Sequence, residues 1–187
     1  MALLYKTLSV MVSGYKEAGK TLFSKMLVTE MKEHGWNVYL FPLAEPLKQI
    51  ALRMGWDGVK DERGRRLLQT LGVEVGRAYD EDLWVKKLIN ETVLHAPGYP
   101  FDSIVIDDWR FPNERDYIKK NPLYDVVTIR IFRPDTGGDP HSSETALPLD
   151  IEHYDSVIYN TGDIYSLQRS AIATFEHLDE VYNKGVK

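Results

Sequence analysis

Residues 8–23, LSVMVSGYKEAGKTLF, pass from an apolar run through two glycines into a helix-forming segment. Within it, Gly14-Tyr15-Lys16-Glu17-Ala18-Gly19-Lys20-Thr21 satisfies G-x-x-x-x-G-K-[ST], the P-loop pattern, between a strand predicted over Leu8–Val12 and a helix predicted after Gly19. A loop of this kind turns its backbone N–H groups inward around a phosphate chain. Glycine is needed where a Cβ would block the turn, and the helix N-terminus beyond it adds partial positive charge. Lys20 is then placed to reach the β- and γ-phosphates of a nucleoside triphosphate. Thr21 offers a hydroxyl to Mg²⁺, and Lys16 adds charge near the terminal phosphate. The motif leaves the phosphate acceptor undetermined, because ATPases, GTPases and kinases share it.

The rest of the chain alternates strand and helix signals. Leu22, Phe23, Met26, Leu27 and Met31 recur at helical spacing up to Gly35, Trp36–Leu40 reads as a second strand, and Pro46 opens a helix at a position where proline is tolerated. After the charged break DGVKDERG, two helical patterns, RRLLQTLGVEVGRAY and DEDLWVKKLINETVLHA, follow with no strand between them, which marks an insertion. Ser103–Ile106 is a buried strand, PNERDYIKKN a short helix, Asp125–Phe132 and Ser156–Tyr159 further strands, and Ile164–Tyr182 a closing helix. Residues 133–153, RPDTGGDPHSSETALPLDIEH, are rich in proline, glycine and small polar residues and read as a lid. The expectation is one α/β domain with a five-stranded, mainly parallel sheet and helices on both faces. Its core is assigned to residues 1–42, 96–133 and 154–187, a helical insertion to 43–95 and the lid to 134–153.

Composition narrows the ligand. The 187 residues carry a net charge of −5, so a broad nucleic-acid footprint is not expected and an anionic ligand must be held by local basic groups. There is no cysteine, which excludes disulfides, thiolate nucleophiles and Cys-based zinc sites. No stretch approaches the roughly 20 apolar residues of a membrane span, so a cytoplasmic location with no membrane partner is expected. The N-K-x-D signature of guanine recognition is missing, since Asn183-Lys184 is followed by Gly185-Val186. Chain length suits a small-molecule kinase better than a motor or transport ATPase.

The string SIVIDDWRFPNE puts Asp107, Asp108 and Arg110 at the carboxyl end of a strand, the edge of an open α/β sheet where ligands collect. A carboxylate there can hold Mg²⁺ through water or orient an acceptor oxygen, and an arginine two residues on can grip a phosphate with its planar fork. The plainer reading is a helix-capping acid and a surface ion pair. Arg133 ends a strand and begins the lid, so it can swing over the phosphates on closure. Arg130 lies earlier in that strand with its direction open.

In these segments the chain resembles the bacteriophage deoxynucleoside monophosphate kinases, a branch of the P-loop nucleoside monophosphate kinases. The resemblance runs in order through SGYKEAGKT, LAEPLK, RRLLQTLG, DLWVKK, DDWR, IFRP, HSSETALP and VIYNTGD. It implies a P-loop NTPase fold, ATP as phosphoryl donor, Mg²⁺ as cofactor and a (deoxy)nucleoside monophosphate as acceptor. The family's D-x-R element matches Asp108-Trp109-Arg110, leaving Asp107 as an additional acid without a role. With Lys20, Asp108, Arg110 and Arg133 as the catalytic set, Thr21 and Asp108 become the expected metal-side residues.

The resemblance also places Lys48, Arg65, Arg66, Gln69, Trp84 and Arg110 at the acceptor, His141 and Glu144 in the lid, and Asn160, Thr161 and Gly162 against adenine. Each has a plainer alternative: an arginine pair on a solvated helix face, a tryptophan in the core, a solvated histidine, an ordinary β-to-α turn. The implied reaction is transfer of the ATP γ-phosphoryl group to a dNMP. A phosphomevalonate kinase-like enzyme and a non-catalytic ATP-binding regulatory module are the alternatives, and a homodimer is compatible with the chain.

Overall fold

The computed structural model describes residues 6–134, 136, 141–148 and 150–182. Five strands form one sheet: β1 (Thr7–Ser13), β2 (Val38–Leu40), β3 (Ser103–Ile106), β4 (Tyr124–Phe132) and β5 (Ser156–Tyr159), in the order β2-β3-β1-β4-β5. Every pairing is parallel, with Val10 opposite Val105 on one side of β1 and Val127 on the other. All seven residues of β1 are buried, as a central strand covered on both faces requires. Among the described residues the α-helices are α1 (Lys20–Glu33), α2 (Glu45–Arg53), α3 (Glu62–Gln69), α4 (Leu83–Lys87), α5 (Pro112–Lys119), α6 (Ser142–Thr145) and α7 (Ile164–Tyr182).

Period-two alternation along the strands divides the interior into two layers. Val10 and Val12 of β1, Val105 of β3, and Ile129 and Ile131 of β4 pack with Phe23, Leu27 and Met31 of α1 and Leu167, Ala171 and Phe175 of α7. On the other face, Met11 of β1 and Ile104 and Ile106 of β3 pack with Val85 of α4, Ile118 of α5 and the segment Leu88–Val93. β1 pairs with β3 on one side and β4 on the other, so the loop leaving its carboxyl end opens at the topological switch point.

The helices between β2 and β3 depart from the expected regular pattern. α3 runs on into a π-helical stretch, Thr70–Arg77, and α4 into another, Leu88–Val93. The first stretch carries a local cause: Trp84 Nε1 donates to the Gly72 carbonyl at 2.8 Å, and the indole occupies the space a Cβ would take at Gly76. A side chain bonded into the helical ladder widens the turn. Trp84, 8% exposed, is thus packed into this stretch, in line with the core alternative given above.

Gly76→Ala should push a methyl group into the Trp84 ring and destabilise the protein by about 1–3 kcal/mol. Urea unfolding of the two proteins measures this directly.

Candidate active site

Between β1 and α1 the backbone takes left-handed values at Gly14 (φ 149°), Glu17 (φ 66°) and Gly19 (φ 100°). A Cβ at Gly14 would stand 2.5 Å from the Ile131 carbonyl, and one at Gly19 would stand 2.7 Å from Asn160 Nδ2. Both glycines are thus required by conformation and by space. Lys20 Nζ donates to the Gly14 and Tyr15 carbonyls, each at 2.7 Å, which holds the ammonium across the loop. Asn160 Nδ2 donates to the Ala18 carbonyl at 3.0 Å and Arg133 Nη1 to the Glu17 carbonyl at 3.3 Å, so β5 and β4 brace the same loop.

The acidic pair divides by face. Beyond β3 the chain still runs beside β1, with Trp109 N donating to the Val12 carbonyl at 3.3 Å. Asp107 therefore keeps the parity of Val105 and points to the α1 side, where its Oδ2 accepts from Thr21 Oγ1 at 2.7 Å. Its buried Oδ1 has no hydrogen-bond partner among the described residues. Asp108 keeps the parity of Ile106 and points the other way, its Oδ1 accepting from Leu43 N at 2.6 Å and its Oδ2 from Ala44 N at 3.0 Å. This corrects the expectation that Asp108 is the acid beside Thr21: that acid is Asp107, because one residue's step along a strand reverses the side chain. Burial, reinforced by the neighbouring Asp107, raises the Asp108 pKa.

Asp107 and Thr21 form the wall of a cleft of about 620 Å³. Its lining includes the basic residues Lys16, Lys20, Lys25, Lys48, Lys60, Arg65, Arg77 and Arg110 against four carboxylates, Glu17, Asp107, Asp108 and Glu114. The protein is acidic as a whole, yet this hollow is basic. Leu43, Leu47, Leu68, Val73 and Phe111 supply the apolar part of the lining. Of the expected acceptor residues, Lys48, Arg65, Gln69, Trp84 and Arg110 line the cleft, whereas Arg66 is exposed on another face of α3 and does not.

Arg77 was not among the expected site residues. Residues four apart overshoot an α-helical turn by about 40°, and wider i→i+5 turns reduce that drift. The π-helical stretch thus keeps Gln69, Val73 and Arg77 on the cleft side below Arg65. The Arg77 guanidinium lies 3.6 Å from the centre of the Phe111 ring and its Nη2 donates to Asn113 Oδ1 at 2.6 Å. Glu114 was also unforeseen. Its Oε2 accepts from the Arg110 and Phe111 amides, both at 3.0 Å, and its Oε1 lies 3.5 Å from Arg77 Nη1. The fourfold spacing of Arg65, Gln69, Val73 and Arg77 was the available signal for Arg77. Glu114 showed only as a first-turn acid.

A second cleft, about 410 Å³, is lined by Glu17, Arg133, Pro134, Thr136, Asn160, Thr161 and Gly162. It gathers the expected adenine-side residues, although the Asn160 amide is spent on the loop backbone. In the lid region, His141 does not line either cleft: its Nδ1 accepts from Ser143 N at 3.2 Å and caps α6. Ser143 takes the place beside the cleft, its carbonyl accepting from Arg110 Nη1 at 3.2 Å. Glu144 lies in α6 with its side chain not described, and residues 135, 137–140 and 149 of the expected lid fall outside the described residues.

Burial raises the Glu114 pKa to about 7, partly offset by the Arg110 and Phe111 amides and by Arg77. An acid whose folded pKa is raised holds its proton where the unfolded chain has released it, so stability falls as pH climbs from about 4.5 to about 7. Glu114→Gln keeps an acceptor for the two amides and removes that penalty. The variant should gain on wild type between pH 5 and pH 8 by up to about 3 kcal/mol, read from denaturant unfolding at both pH values.

No curated protein matches the chain. Among solved structures, the crystal structure of APE1195 superposes with a TM-score of 0.55 at 12% identity, covering 95% of this chain and 98% of that one. The Mycobacterium tuberculosis APS kinase CysC in complex with AMPPNP and APS gives a TM-score of 0.53 at 13% identity, covering 93% of this chain and 98% of that one. Both likenesses are of fold. The sequence model for deoxynucleotide monophosphate kinase matches residues 60–171, from the cleft-lining α3 through the acidic pair and into α7, and by that match the chain belongs to the deoxynucleotide monophosphate kinase family.

Proposed function

We propose that the protein transfers the γ-phosphoryl group of ATP to the 5′-phosphate of a deoxynucleoside monophosphate, giving ADP and a deoxynucleoside diphosphate. The observation that carries this reading is the placement of the P-loop between two clefts that meet at Glu17, one basic with an apolar wall and one small and polar. A donor in the smaller cleft directs its terminal phosphate past Lys20 toward an acceptor anion in the larger one. An oxygen of the acceptor phosphate attacks the γ-phosphorus while the bond to the ADP oxygen breaks, and no covalent enzyme intermediate is needed.

The residues present fit a Mg²⁺ site. Among the described residues the buried Asp107 Oδ1 has no partner, Thr21 lies beside the carboxylate, and no cluster of three acidic or histidine side chains forms a complete cage. Mg²⁺ is ordinarily held by one or two protein groups with the remaining positions left to phosphates and water. Asp107 and Thr21 would hold the ion, which would supply positive charge to offset the donor phosphates. Lys20 neutralises the transferring group, Arg110 grips the acceptor phosphate from the carboxyl end of β3, and Arg133 meets the donor phosphates beside Glu17. Arg65, Gln69 and Lys48 orient the rest of the acceptor.

Incubation with ATP, Mg²⁺ and a panel of nucleoside and deoxynucleoside monophosphates, followed by product identification, tests the reading. Diphosphate formation from a deoxynucleotide is expected. Transfer to mevalonate phosphate alone, or ATP binding with no transfer to any acceptor, would replace it. Lys20→Ala should lower turnover at least 100-fold with little change in unfolding midpoint, since the ammonium lies over the loop and outside both apolar layers. Arg110→Ala should raise the acceptor KM at least tenfold while ATP affinity, followed by titration calorimetry, stays within about twofold.

A further inference from the structure

α2 begins without a cap of its own. Its N-cap residue is Ala44, which has no side-chain acceptor, and Glu45-Pro46 opens the first turn. The amides of Leu43 and Ala44, which face out from that end, both donate to the carboxylate of Asp108, more than sixty residues further along the chain. An anion at this position satisfies the amides of the two residues that lead into the helix and lies near the positive end of its dipole, whereas a local Asp or Ser would accept from an amide inside the first turn. Here, however, the cap belongs to the sheet. α2 carries Leu47 and Lys48 into the basic cleft, and Leu43 and Ala44 line it themselves.

On the proposed phosphotransfer reading, which this inference deepens, we infer that Asp108 is a positioning residue for the acceptor: it pins the start of α2 to the carboxyl end of β3. The acceptor wall and Arg110, two residues beyond Asp108, are thereby held at one distance. The far end of the helical stretch has a separate tie through Arg77 to Asn113 of α5. Asp108 serves the end nearest the P-loop, and it does so through two backbone amides and without turning its carboxylate toward Thr21.

Asp108→Asn is the direct test, because the isosteric amide accepts from one of the two N–H groups and opposes the other with a donor. The acceptor KM should rise about tenfold or more with ATP affinity within about twofold of wild type. Hydrogen exchange at residues 43–48 should quicken at least tenfold while exchange in α1 is unchanged. Asp108→Glu keeps the charge and both acceptor oxygens but lengthens the reach by one methylene group, so it cannot hold both amides at their present distances, and it should reproduce the KM effect. If the Asn variant does not fold, the Glu variant decides alone. An acceptor KM within twofold of wild type, a parallel loss of ATP affinity, or unchanged exchange at 43–48 would overturn the inference. If wild-type protein phosphorylates no monophosphate, the functional reading fails, and exchange at 43–48 with ATP affinity then decides the role of Asp108.

Discussion

A strand buried on both faces must send successive side chains into opposite layers, and this constraint organises the molecule from its core to its active site. In β1 and β3 it places valines against α1 and α7 and isoleucines or methionine against the helices on the other side. Past the end of β3 the same alternation acts on two adjacent aspartates. Asp107 goes to the P-loop side and Asp108 to the start of α2, so one dipeptide serves both halves of the site.

The electrostatics are local. An acidic chain binds phosphates only if basic side chains are gathered against a background of opposite sign, and here they converge from α1, α2, α3, the stretch after it and the end of β3. Such a gathering of cations suits an anionic ligand despite the negative net charge of the chain. Burial completes the arrangement: the carboxyl of Glu114 loses much of its tendency to ionise, while its two backbone bonds hold the turn that carries Arg110.

The helical stretch between β2 and β3 shows how packing overrides regular geometry. Gly72 and Gly76 lie against Leu47 and Trp84, the indole takes a helix carbonyl, and the widened turns keep a stripe of cleft residues in line. The tryptophan acts on the site through the shape of the helix beside it. Its replacement by a smaller aromatic ring would alter the cleft wall as well as the core.

Much of the fold was legible along the chain. The P-loop spacing dictated strand, loop and helix in that order, and apolar runs bounded by glycine and proline marked the five strands at nearly their observed positions, because these are local properties of backbone and side chain. Arg110 was expected beside a phosphate by its residue type and position, and Lys48, Arg65 and Gln69 beside the acceptor through the family resemblance, and all four line the cleft. Tertiary structure decided which aspartate meets Thr21, that Arg66 faces away, that His141 caps a short helix, and that Arg77 and Glu114 belong to the cleft. Those outcomes turn on which partner stands across a face, on widened helical turns and on contacts spanning dozens of residues, quantities that exist only once the chain has folded back on itself.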